Sequence, residues 1–150
     1  MTDYGPPPIP VPYSPEWVRL PEPYVQAIAH ELTSRDVEVV DHWNDPMDPR
    51  DATVIVRARG GGRLRFVWDE ESGWRQGPMD ANGWVPLHLT RYLRAGLLPA
   101  PTLVADLVEK VLDGNHEGVV ERPRYRSFRD YGDALDGRLA EYAQGREPAG

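Results

Sequence analysis

Apolar residues change their period along this chain, and the changes divide it into elements. Val25, Ile28, Ala29 and Leu32 recur at helical spacing after Pro21-Glu22-Pro23, which predicts a first helix from Tyr24 to about Arg35. Three β-like runs follow at residues 37–43, 52–59 and 63–69, separated by an Asp- and Pro-rich stretch at 44–51 and by Gly60-Gly61-Gly62. A short fourth run at 74–76 comes after the turn signal Ser72-Gly73. Within the second and third runs, Ala52, Val54, Val56 and Ala58, then Leu64, Phe66 and Trp68, alternate with polar positions, so one face of the sheet should be buried and the other wet. Two further helices are predicted at 86–95 and 101–113, stopped by Gly96 and Gly114. The second carries a wide stripe of Leu103, Val104, Leu107, Val108, Val111 and Leu112. The expected fold is α+β: an antiparallel four-stranded meander covered on one face by helices, in the order α-β-β-β-β-α-α.

The ends read differently. Residues 1–20 are expected to form a Pro-rich extended arm, because closely spaced prolines remove backbone donors and forbid a helix or a central strand. The domain proper is expected at 21–114 and a polar linker at 115–126. At 127–150 the pattern predicts an amphipathic tail helix opening at Ser127 with Asp130 in a capping box, followed by a disordered end. Phe128, Tyr131, Leu135, Leu139 and Tyr142 would share one face of that helix, weakened by Gly132 and Gly137, so the segment needs a surface to dock on.

Composition narrows the chemistry. With 150 residues and no cysteine, the chain has room for one domain and excludes disulfides, thiolate metal sites and cysteine nucleophiles. The start lacks a basic segment followed by an apolar run, and no stretch reaches the ~20 apolar residues that span a bilayer. A cytoplasmic protein with no membrane role is expected. The net charge of −7 repels polyanions, which disfavours nucleic acid as a partner without excluding it. Lys110 is the only lysine among 17 basic residues, a bias that fits a high-GC genome.

Pro23-Tyr24-Val25, Trp43, Asp48-Pro49-Arg50, Trp68-Asp69-Glu70, Gly73-Trp74, Tyr92-Leu93 and Leu98-Pro99 form a pattern over about residues 23 to 112. It resembles a family of small uncharacterised actinobacterial proteins, a domain of unknown function. The resemblance implies an actinobacterial or actinophage source and one domain, and it assigns no functional residue.

Four surfaces could carry chemistry. The loop bearing Asp41, Asp45, Asp48 and Asp51 could hold calcium or supply carboxylates to His42, but Pro46 and Pro49 suit turns and no central glycine is present. His30 does not extend to a two-histidine zinc motif, because position 34 is serine. Trp68 and Trp74 could stack a ligand, although their phase is that of the core, with Asp69, Glu70 and Glu71 left as a solvated hairpin tip. The outward face of the sheet should present Arg57, Arg59, Arg63 and Arg65. A three-residue turn at Gly60–Gly62 would set Arg59 against Arg63 and Arg57 against Arg65, with Asp36 and Glu38 supplying counter-charges. No phosphate-loop or dinucleotide pattern occurs, so no cofactor is expected, and neither is a catalytic or metal site.

The function expected is that of a non-catalytic binding or accessory protein. It would contact another protein, or a second copy of itself, through the arginine face or through the tail stripe of Phe128, Tyr131, Leu135, Leu139 and Tyr142. The alternatives are a regulatory protein touching nucleic acid through the arginines, and a small hydrolase using His42 and the Asp-rich loop.

Overall fold

The computed structural model describes residues 7–46, 48–115 and 117–145. The remainder of the expected arm and tail, at 1–6 and 146–150, lies outside the described residues. The fold is α+β, built on one antiparallel sheet of five strands in the order β1-β2-β3-β4-β5. The strands are β1 (Val39–Asp45), β2 (Asp51–Arg57), β3 (Arg63–Asp69), β4 (Gly73–Pro78) and β5 (Arg91–Tyr92). A one-turn helix α1 (Pro15–Val18) and the helix α2 (Glu22–Ser34) precede the sheet, and α3 (Pro101–Leu112) and α4 (Ala134–Ala143) follow it. Among the described residues no helix is long and apolar enough to cross a membrane.

The alternation read from the sequence places the core correctly. Ala52, Val54, Val56, Phe66 and Trp68 face α2, whose Tyr24, Val25, Ile28 and Leu32 are buried against them, and Val104, Ala105 and Val108 of α3 close the side. Trp68 and Trp74 sit opposite one another across β3 and β4, 0% and 2% exposed, so both belong to the core. Their indole N–H groups are satisfied within it. Trp68 donates to the Leu97 carbonyl at 2.8 Å, and Trp74 donates to the Tyr24 hydroxyl at 3.1 Å, which itself donates to the Pro99 carbonyl. Trp68→Ala should cost about 3 to 5 kcal/mol through lost burial and the cavity left behind. A circular-dichroism melt should drop by roughly 10 °C. A wild-type melting temperature would show that the indole contributes little to the core.

Three expectations are corrected. The helix expected at 86–95 is instead a single 3-10 turn, Leu87–Leu89, followed by β5, making five strands rather than four. β4 leaves an edge that needs donors and acceptors, and Arg91–Tyr92 pairs there, extended by the Leu93 N–H donating to the Trp74 carbonyl. The β2–β3 register pairs Arg57 with Arg63 and Ile55 with Arg65, so the turn is centred on 59–61 instead of 60–62. The tail helix starts at Ala134, capped by Asp133; Ser127 and Asp130 bond each other in a turn, and Gly132 at φ +72° breaks the helical path.

The acidic hairpin tip, expected to be solvated, is also buried. Asp69 bonds the Glu71 and Ser72 backbone N–H groups and pairs with Arg75. Glu70, 0% exposed, accepts from Arg50, from the Arg50 backbone and from Arg126. Arg50 in turn pairs with Asp136 of α4 at 2.6 Å and lies 3.6 Å over the ring of Trp17 in α1, whose indole N–H donates to Asp136. This buried cluster ties both ends of the chain to the sheet. The stretch expected as a linker at 115–126 is tied to the sheet over 117–126: Val119 bridges Tyr92 at the edge strand, and the Tyr125 N–H donates to the Glu71 carbonyl at the hairpin tip.

Candidate functional site

The face of the sheet opposite α2 is organised in rows by strand register. One row is Asp45, Asp51, Asp69 and Gly73; the next is Trp43, Thr53, Val67 and Arg75; the third is Asp41, Ile55, Arg65 and Gly77. The loop at 79–90 crosses this face instead of leaving it open. It can do so because position 77 is glycine: a Cβ there would lie 2.3 Å from Val85 Cγ1 and 3.0 Å from the Leu89 carbonyl oxygen. The loop is braced by Asp80, whose carboxylate accepts from the Asn82 and Trp84 N–H groups. Between loop and sheet lies a cleft of about 350 Å³, lined by Asp45, Asp51, Arg65, Arg75, Trp84 and Thr90, among others.

Charge in the cleft is fixed in place. The Arg65 guanidinium donates to the Gly83 carbonyl at 3.0 Å and to Thr53 Oγ1 at 3.3 Å, and lies over both indoles, 5.4 Å from the Trp43 ring and 5.2 Å from that of Trp84. At the other end Asp51 faces Asp45 across β1 and β2. Burial, a hydrogen bond to Asp45 and the repulsion of its charge push the Asp51 carboxyl up to about 7, against the opposing pull of Arg75. Arg75 is itself held 2.8 Å from Asp69.

The four arginines expected on one face separate. Arg57 pairs with Glu38 at 3.0 Å as anticipated, whereas Arg59 pairs with Asp113 instead of facing Asp36. Arg63 is exposed opposite Arg57, and Arg65 alone enters the cleft. Of the tail stripe, Leu135 and Leu139 are in the core, Tyr142 packs against it with its ring 5.1 Å from that of Tyr24, Phe128 is half-buried and Tyr131 is exposed. His42 shares the strand face of Val54 and lines a shallow groove with His30, Gln26 and Thr33, whereas Asp45 and Asp51 project to the other side. The structure thus does not gather His42 with the aspartates. Among the described residues no three His or carboxylate side chains are grouped as a metal-ligand set.

Sequence reasoning placed Arg65 on the right face but missed Trp84, Trp43 and the Asp45–Asp51 pair as its neighbours. The one available signal was Gly77-Pro78 followed by Asp80 and Gly83, turn residues that argue for a loop folding back over the strand.

Residues 24–110 match a family described as a family of unknown function, close to the extent expected from the sequence pattern. No curated protein matches the chain, and no solved structure does.

Proposed function

The chain belongs to DUF6292, a family of unknown function, and from that premise we propose that it is a non-catalytic binding or accessory protein, docking another protein on the loop-covered face of its sheet. The observation that carries this reading is the loop itself. Trp84, Leu87 and Leu89 are 65%, 87% and 40% exposed, on a segment held by Asp80, Arg65 and the Gly77 contact. Large apolar side chains presented on a braced loop bury area on docking while losing little conformational freedom, which is how a few residues come to dominate an interface. A polar and charged surround, with Arg63 and Asp41 exposed nearby on the same face, gives such a patch a rim.

The reading includes a cytoplasmic setting, supported by a chain without cysteine, and an actinobacterial source, supported by the arginine bias. Against the hydrolase alternative stands the placement of His42 and the aspartates on opposite faces. Against the nucleic-acid alternative stands the internal pairing of Arg57 and Arg59, which leaves fewer free cations for phosphate contacts.

The test is quantitative capture from the native host with the full chain, comparing wild type with Trp84→Ala/Leu87→Ala. A specific partner should be lost from the double variant while its melt falls little, because Leu87 is almost wholly exposed and Trp84 buries only its contact with Arg65 and the cleft. An unaltered partner set would move the interface elsewhere, and light scattering on the purified wild type shows whether a second copy is the partner.

A further inference from the structure

We propose that the cleft beneath the 79–90 loop is a binding site for a free α-amino acid, its ammonium on the Asp45–Asp51 pair and its carboxylate on Arg65. This goes beyond the docking reading and does not rest on it.

The charges that face the cleft lack ionic partners. Arg65 uses two of the five N–H donors of a guanidinium, on the Gly83 carbonyl and Thr53 Oγ1, so three have no protein acceptor among the described residues. Asp45 and Asp51 form no ion pair among the described residues: Asp45 accepts the Trp43 indole N–H at 3.3 Å and shares a hydrogen bond with Asp51, while Arg75 is engaged by Asp69. Opposite charges lining one cleft would ordinarily close on each other, since an arginine side chain is long and flexible. Here they cannot. Two hydrogen bonds and the faces of Trp43 and Trp84 pin the guanidinium over the Thr53 row. A guanidinium and a carboxylate pair held in place by neutral partners, without an ion pair between them, are a preorganised receptor for a ligand that carries both signs.

The spacing selects the ligand. Thr53, which accepts from the guanidinium, lies two residues from Asp51 on β2, a backbone spacing of roughly 7 Å that sets the scale of the gap between cation and carboxylates. An α-amino acid separates its ammonium and carboxylate by only two carbon atoms, and with a charge-assisted hydrogen bond of about 2.8 Å at either end it bridges a gap of that size. A longer zwitterion, with its charges farther apart, overshoots. The cleft volume of about 350 Å³ suits one small ligand, and Trp84, Val85 and Val67 offer an apolar wall for its side chain. Thr90, also on the lining, adds a hydroxyl.

The carboxylate pair adds a pH signature. Asp51 is faced by Asp45 from β1, Asp69 from β3 and Arg75 from β4, with Arg65 along the cleft. With its carboxyl raised to about 7, the pair holds a proton below neutrality that an incoming ammonium must displace. Affinity should therefore strengthen as pH rises from about 6 to about 8, since the ammonium of a free amino acid, beside its own carboxylate, is more basic than a chain terminus and stays protonated there.

The experiment is titration of the full-length protein at about pH 8 with each of the common free L-amino acids, followed by calorimetry and tryptophan fluorescence. The N-acetyl derivative and the α-amide of the tightest ligand serve as controls. At least one amino acid should bind saturably with one site per chain. Each blocked derivative should bind about tenfold or more weakly, because each leaves one of the pinned charges unsatisfied. Asp51→Asn and Arg65→Gln should each lower affinity by a similar factor with little change in the melt. If no free amino acid binds saturably, or if the blocked derivatives bind as well as the parent, the proposal is wrong. The blocked ligands carry the test on the wild-type chain should either variant fail to fold. Loss of amino-acid binding with capture still dependent on Trp84 and Leu87 would overturn this inference and leave the docking reading intact; the converse separates them equally.

Discussion

Replacing Arg50 by methionine should destabilise the protein by about 3 to 5 kcal/mol, the range found when one partner of a buried ion pair is removed and the other is left behind. The volume and the apolar stem are nearly kept, so the loss is electrostatic. Arg50 is fully buried and its guanidinium serves three acceptors, Glu70, Asp136 and the Trp17 carbonyl. Without it Glu70 still has Arg126 at 2.7 Å, but the Asp136 carboxylate keeps, among the described residues, the Trp17 indole N–H and the Gly132 N–H. In the wild type, burial pushes the Asp136 carboxyl up, and hydrogen bonds from Arg50, Gly132 and Trp17 together outweigh it and hold the group below its ordinary value. A carboxyl depressed in the folded state contributes stability that is present above its unfolded pKa and is lost as pH falls through the folded one. In the variant the Arg50 share of that contribution is gone, and the burial penalty is opposed by the Gly132 and Trp17 hydrogen bonds without it. The gap between wild type and Arg50→Met should therefore be widest near neutrality and narrow as pH drops below about 4, the ordinary carboxylate range. Urea melts at both pH values measure it, and equal midpoints at neutral pH would refute the role assigned to the cluster.

Arg50 also marks where the sequence stops being legible. Periodicity works where a residue's neighbours are set by its own element, and so α2, β2, β3 and α3 were visible in the spacing of Val25, Ile28 and Leu32, of Val54 and Val56, of Phe66 and Trp68, and of Val104 and Val108. Glu70 and Asp136 lie 20 and 86 positions from Arg50, and the three sit in a hairpin tip, a tail and a turn, where a charge is by default solvated. No local pattern announces that the three converge. Trp17 is a different case, because its signal was present. Ser14-Pro15-Glu16 is a cap, a first-turn proline and an acid, the start of a helix inside what composition marks as an extended arm. The register of β2 against β3 was undecidable for a local reason: Gly60, Gly61 and Gly62 all tolerate positive φ, and the fold uses it at Gly61 and Gly62, a choice three identical residues cannot signal. The cleft was half legible. Alternation put Arg65 outward, but its second wall is a loop, and the expected helix at 86–95 hid the residues that build it.

Removing residues 127–150 should abolish the cooperative melt, the reverse of what the tail's amphipathic pattern alone suggests. From that pattern the segment looks dispensable, an appendage docking on a finished domain at 21–114. In the structure it supplies core. Leu135 and Leu139 are 4% and 0% exposed within the same apolar cluster as Tyr24, Ile28, Trp68 and Trp74, and burying each contributes about 1.5 to 3 kcal/mol. The truncation also deletes Asp136, leaving Arg50 buried against Trp17 with one acceptor fewer, a defect worth about 3 kcal/mol or more on its own. Together these losses are on the order of 10 kcal/mol, comparable with the whole stability of a typical domain. The sheet and α2 would remain as sequence but with Trp17 and Tyr24 facing water where α4 had been. Near-UV circular dichroism on the truncated chain should lose its tryptophan signature, and a thermal scan should show a gradual loss of ellipticity in place of a sigmoid. A cooperative transition close to the wild-type temperature would mean that the 21–114 unit is self-sufficient and that α4 adds contacts without completing the core.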